Sequence, residues 1–126
     1  MKTEGMVRTG ALLADLAVAA GAFGAHGLEG HLTETGQTDN YETAVRYQMW
    51  HALAILVCAA LDAPDRRTGR AAWCFLTGSL IFAGTLFGIA LSGVRWLGAI
   101  TPLGGTLLIV GWVVLATSGP ARTGTE

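Results

Sequence analysis

Charge is scarce in this chain. Acidic and basic side chains together make up 13% of the 126 residues, against roughly 25% in ordinary soluble domains. The net charge is −1, and apart from Arg66, Arg67 and Arg70 there is no cluster of basic residues. That excludes nucleic acid as a partner, because holding a phosphate backbone needs concentrated positive charge. The chain also has no CxxC pair, no glycine loop of the phosphate-binding kind, no serine elbow with histidine and acid partners, and no two carboxylates within one apolar stretch. Each absence removes a class of enzyme whose chemistry depends on those groups at those spacings. No catalytic residue is assigned. Cysteine is limited to Cys58 and Cys74, which flank the arginine-bearing loop. On the cytoplasmic side that pair stays reduced, and no disulfide is expected.

What the chain has in quantity is apolar length. Four stretches, Gly10–Leu28, Ala44–Leu61, Ala71–Val94 and Trp96–Thr117, take up most of it. A helix needs about 20 residues, at ~1.5 Å each, to cross ~30 Å of hydrocarbon, so all four are long enough. The fold class expected is all-α: a single four-helix membrane domain over residues 1–126, with up-down topology. Lys2, Arg8, Arg66, Arg67, Arg70 and Arg122 fall on one side of such a topology and only Arg46 and Arg95 on the other. By the positive-inside rule both termini face the cytoplasm of a bacterial inner membrane. The alternative, a cleaved signal peptide ending near Ala20-Gly21-Ala22, conflicts with Asp15 in its apolar core.

Between the first two spans lies a polar segment, residues 29–43. In it Leu28, His31, Leu32 and Thr35 recur at helical spacing, and Gly36 through Asn40 read as a turn. The loop between the middle spans, residues 62–70, contains Pro64 and Gly69. Small residues recur four apart in two spans, as Ala17, Gly21 and Ala25 with Gly24 beside them, and as Gly84, Gly88 and Ser92. Such stripes let membrane helices approach closely, either within the bundle or against a second protomer.

Several segments carry a resemblance to a known family. GAFGAHGL at Gly21–Leu28, YETAVRYQMWHALAIL at Tyr41–Leu56, FAGTLFGIALSG at Phe82–Gly93, LGAITPLGG at Leu97–Gly105 and the pair Gly111-Trp112 resemble the family known as domain of unknown function four-two-three. These are small four-helix bacterial inner-membrane proteins with a eukaryotic transmembrane relative. The resemblance implies a fold and a location, not an activity. Where that family commonly reads FSGSLY, this chain has Ala83, Thr85 and Phe87. Two hydroxyls are thus lost and one kept, which weakens any polar pathway along the third span.

The polar residues of these segments cluster toward the outer ends of the spans: His26, Arg46, Tyr47, Gln48, His51 and Thr101 form a candidate outer-leaflet site. Glu42 and Arg46 stand in the favourable order for an i,i+4 pair, and Arg46 also serves as a snorkelling anchor. Tyr47 and Trp50 fit an aromatic belt. His26 and His51 sit at comparable depth, so two facing imidazoles are available to a metal or a haem iron. The competing expectation is no cofactor, with each ring bonded to a freed carbonyl.

Asp15 is a candidate inner acid. It lies some five residues into the first span and three turns from His26 on one face, a spacing open either to a proton relay or to an interface carboxyl, neutral or paired with Arg8 or the Arg66–Arg70 loop. Thr101 and Pro102 read as an N-cap and first helical residue, with Gly104 and Gly105 leaving room for a helix or an anion beside Arg95. No enzyme is expected. The role that follows is structural or accessory, through contact with lipid, a second copy or a larger membrane complex. The alternatives are a small-solute or proton-conducting oligomer and, third, a haem or metal protein.

Overall fold

The apolar stretches all become helix in the computed structural model, which describes residues 1–61 and 66–119. In chain order these are α1 (Thr3–Ala25), α2 (Glu29–Thr35), α3 (Thr38–Leu61), α4 (Arg67–Ser92), a short 3-10 helix (Arg95–Ala99) and α5 (Thr101–Ala116), with no strand among the described residues. Helices α1, α3, α4 and the run Arg95–Ala116 are each long and apolar enough to cross a membrane.

At their starts α1, α3 and α4 reach beyond the stretches marked by composition, whereas α1 stops at Ala25 and α4 at Ser92, short of the expected Leu28 and Val94. α1 begins at Thr3 rather than Gly10, because Glu4 and Arg8 form a pair one turn apart and support the first turns. α3 begins at Thr38, so the polar segment 29–43 is α2 plus the opening turns of α3. The turn expected over Gly36–Asn40 shrinks to Gly36 and Gln37: Gly36 takes φ 68° and its N–H closes α2 on Leu32 and Thr33, a left-handed cap natural to glycine. Pro64 and Arg122 lie outside the described residues.

Neighbours in sequence pack antiparallel: α1 on α3, α3 on α4, α4 on α5. Gly24 lies under Tyr41 while Gly10 lies against Ala52 and Leu56. Tyr41 meets Phe87 and His51 meets Phe75, and Gly104 lies on Phe82 while Gly111 lies on Phe75. The central pair α3–α4 encloses Ile55, Cys58 and Phe75, with Ala52, Ala71, Ala72 and Ala83 also buried. Alanines suit such a core, since lipid is as apolar as leucine and helices associate by close packing rather than by hydrophobic expulsion. Leu12, Leu16, Phe23, Leu103, Ile109 and Val113 are exposed on the flanking helices, where acyl chains would cover them. Cys58 and Cys74 are both free.

The backbone of Met1 abuts Gly69, and the Arg67 guanidinium donates to the Thr117 carbonyl. The starts of α1 and α4 and the end of α5 therefore share one end of the molecule. The α1–α2–α3 connection and the 3-10 helix occupy the other.

Candidate functional site

α3 carries most of the polar residues singled out in the sequence, and its helical twist sends them to different neighbours. Tyr41, Val45, Gln48 and Ala52, spaced three or four apart, face α1. Tyr41 donates its hydroxyl to the Ala20 carbonyl at 2.5 Å, and Gln48 Nε2 donates to the Leu13 carbonyl at 3.0 Å. Tyr47 and His51 face α4 and α5: the Tyr47 ring stacks on Phe82 at 4.5 Å between centroids, and His51 lies against Phe75 and Trp112. Arg46 points outward to Glu42 at 3.3 Å, with more than half of each side chain exposed.

Both nitrogens of His51, a residue only 4% exposed, are engaged. Nδ1 lies 2.6 Å from the Tyr47 carbonyl, and Nε2 lies 3.1 Å from Trp112 Nε1. A carbonyl only accepts and an indole N–H only donates, so the proton sits on Nδ1 and the lone pair of Nε2 receives Trp112. This is a neutral, fully satisfied imidazole joining α3 to α5 across the face of α4.

Above it runs an apolar groove of about 610 Å³ between α3 and α5, lined by Tyr47, Trp50, His51, Phe82, Gly105, Leu108, Ile109 and Trp112. Its walls are aromatic and aliphatic apart from His51, whose two nitrogens are already bonded, and no carboxylate, lysine or arginine is among the described residues that line it. Such a slot has the chemistry to accept an acyl or isoprenoid chain.

The six residues of the candidate outer site are thus not gathered into one place. His26 is the exposed C-cap of α1, at the level of the α3 N-terminus. Gln48 is level with Leu13 and His51 lies three residues further from His26 on the antiparallel α3, which puts the two histidines some 16 residues, or about 24 Å, apart along the axis. Their expected comparable depth is not found, and the two rings do not face each other. α3 begins six residues before its apolar stretch, so His51 lies near the middle of its helix while His26 lies at the end of α1. Among the described residues no three metal-binding side chains come together.

Thr101 does not cap α5. The 3-10 helix runs directly into it, so Ile100 takes the cap position, and the Thr101 hydroxyl bonds Leu97 O and, at 2.7 Å, Thr85 Oγ1. Thr85 is the hydroxyl kept from the family pattern. The two positions without one are filled by packing: Ala83 is buried, and Phe87 meets Tyr41 edge-on at 5.1 Å.

Of the glycines, Gly21 approaches Val45, Gly24 Tyr41, Gly88 Leu97 and Gly104 the backbone of Phe82; Gly105 makes ordinary contact with the Phe82 ring, and Gly84 is open. Ala17 is buried against α3, so the first-span stripe serves internal packing. Three tight positions, Gly10, Gly78 and Gly111, and the His51–Trp112 bond were not foreseen. The adjacent Gly111-Trp112 pair was the available signal for the last two.

Asp15 stands halfway along the 23-residue α1, on the face turned away from α3. It has no hydrogen-bond or ion-pair partner among the described residues. Arg8, one candidate partner, is bonded to Glu4 instead. Ala11, Ala19 and Ala22 are exposed on the same face.

Four apolar spans, interfaces of small residues and the interhelical bonds of Tyr41, Gln48, His51 and Thr85 define a multi-pass integral membrane protein. The chain belongs to the family described as "Protein of unknown function (DUF423)", whose model matches residues 20–105. It is 47% identical over 107 residues to a UPF0382 membrane protein of Staphylococcus epidermidis, covering 84% of this chain and 87% of that one. It is 40% identical over 114 residues to the UPF0382 membrane protein YwdK of Bacillus subtilis, covering 86% and 90%. No solved structure matches.

Proposed function

We propose that this protein is an accessory component of the bacterial cytoplasmic membrane that works by holding helices together, with a second copy of itself docked on the outer face of α1. The observation that carries this reading is Asp15, an exposed carboxyl at the middle of a spanning helix with no partner among the described residues. A lone Asp at that depth costs about 2.5–3.5 kcal/mol on insertion scales. A second α1 related by a two-fold axis brings carboxyl to carboxyl, where the pair can hydrogen-bond, and Ala11, Ala19 and Ala22 leave room for the approach. The orientation, both termini cytoplasmic, is supported by Lys2, Arg66, Arg67 and Arg70 at the end that holds the starts of α1 and α4, against Arg46 and Arg95 at the other.

The test is cysteine cross-linking in native membranes. An Ala19→Cys chain is expected to form a covalent dimer, and adding Asp15→Leu is expected to reduce its yield several-fold. A monomer with Asp15 intact sinks the reading. Asp15 also favours a second reading, conduction of protons or a small solute by the same oligomer. In that case Asp15→Asn retains the cross-link and abolishes flux in reconstituted vesicles, whereas the accessory role leaves no flux to abolish.

A further inference from the structure

We infer that the cleft where α1 and α4 begin is a binding site for the phosphate of an anionic lipid headgroup. The chain enters α4 through Arg66, whose φ of 61° makes it the one non-glycine residue in the left-handed region among the described residues. The Arg66 side chain, a donor only, makes no bond into the first turn of this 26-residue helix. In front of that turn lies a cleft of about 860 Å³, walled by Met6, Gly69 and Trp73 and bearing Lys2, Arg66 and Arg70.

The cations at this end divide in two. Arg8 is held by Glu4 and Arg67 by the Thr117 carbonyl, whereas Lys2, Arg66 and Arg70 line the cleft with no carboxylate partner among the described residues. Three like charges around one space repel each other. An anion seated between them relieves that repulsion and also meets the positive end of α4. The close seat of Met1 on Gly69, where an added Cβ would come within 3.0 Å of Met1 N and O, fixes Lys2 relative to Arg66 and Arg70, so the three converge on one place.

The geometry also favours a lipid as the source of the phosphate. Trp73, one turn deeper than Arg70 and half exposed, lines the same cleft, giving a headgroup a charged seat and its acyl chain an aromatic wall. A single phosphodiester satisfies this set, as in phosphatidylglycerol. The site does not depend on the α1 dimer or on which side of the membrane this end faces.

The test is native mass spectrometry of the full chain in neutral detergent, titrated separately with phosphatidylglycerol, phosphatidylcholine and glycerol 3-phosphate. Phosphatidylglycerol is expected to be retained about tenfold better than phosphatidylcholine, and the Lys2→Gln/Arg70→Gln variant to lose that preference. Arg66→Gly, which suits the left-handed backbone, is expected to weaken it while keeping the fold. Arg46→Gln/Arg95→Gln, at the opposite end, is expected to leave it unchanged. Equal retention of the two lipids overturns the inference, as does a preference that survives Lys2→Gln/Arg70→Gln. Retention of glycerol 3-phosphate as tight as that of phosphatidylglycerol, and sensitive to the same variants, overturns the lipid source and leaves a site for a soluble phosphate.

Discussion

Gly104→Ala is expected to pull α5 away from α4 and to cost about 3 kcal/mol, the upper end of what overpacking a tight interface usually costs. A Cβ at that position would lie 2.5 Å from the Phe82 nitrogen and 2.9 Å from both the Phe82 Cα and the Gly78 carbonyl oxygen. All three are backbone atoms of a regular helix, so no side chain can swing aside and the helices themselves must separate. Separation then propagates along the interface, because Gly111, two turns further and on the same face, is held just as closely against Phe75. Gly84→Ala supplies the control: nothing lies within 4 Å of its added Cβ, and alanine is the better helix former. Unfolding in mixed micelles, followed by fluorescence of the four tryptophans, should show a lowered midpoint for Gly104→Ala and an unchanged or raised one for Gly84→Ala. Equal midpoints would mean that the α4–α5 contact is looser than these distances require.

The contrast between Gly104 and Gly84 also shows how far the sequence could be read. Hydropathy and length identified four spanning helices because that signal is a property of each segment alone. Spacing within one segment drew attention to Gly84 and Gly88, yet Gly84 is open. The tight contacts join Gly78 and Phe82 on α4 to Gly104 on α5, and Phe75 to Gly111, relations between two helices that no single-helix pattern displays. Position along the helix was hidden for a similar reason. Composition marks where the apolar stretch begins but not where helix begins, and the polar turns from Thr38 and Thr3 leave His51 and Asp15 near the middles of their helices. The i,i+4 pair of Glu42 and Arg46 was legible because both partners lie on one helix. The fate of Gln48 and Tyr41, bonded to carbonyls on α1, was not. A carbonyl acceptor carries no side-chain identity for the sequence to reveal.

His51 gives the sharper case, because its role can be measured separately from its packing. Replacing it with leucine removes the acceptor of Trp112 Nε1–H in a site 4% exposed, with an expected cost of about 2 kcal/mol for that unmet donor; the Tyr47 carbonyl keeps its helical bond. Trp112→Phe keeps an aromatic ring against Phe75 and deletes only the indole donor. In a double-mutant cycle the two should couple by about 0.6 kcal/mol, the average for interhelical hydrogen bonds in a membrane protein, and by no more than about 1.7. Additive effects would show that the 3.1 Å bond contributes nothing. The same variant bears on the haem or metal reading. A metal on Nε2 must first displace Trp112, so freeing that lone pair in Trp112→Phe should raise retention of haem or metal if His51 is a ligand in the cell. If His51 is the interhelical joint described here, Trp112→Phe loses stability and gains no bound mass. The two roles predict changes in different observables, and one variant, weighed intact and unfolded in the same detergent, separates them.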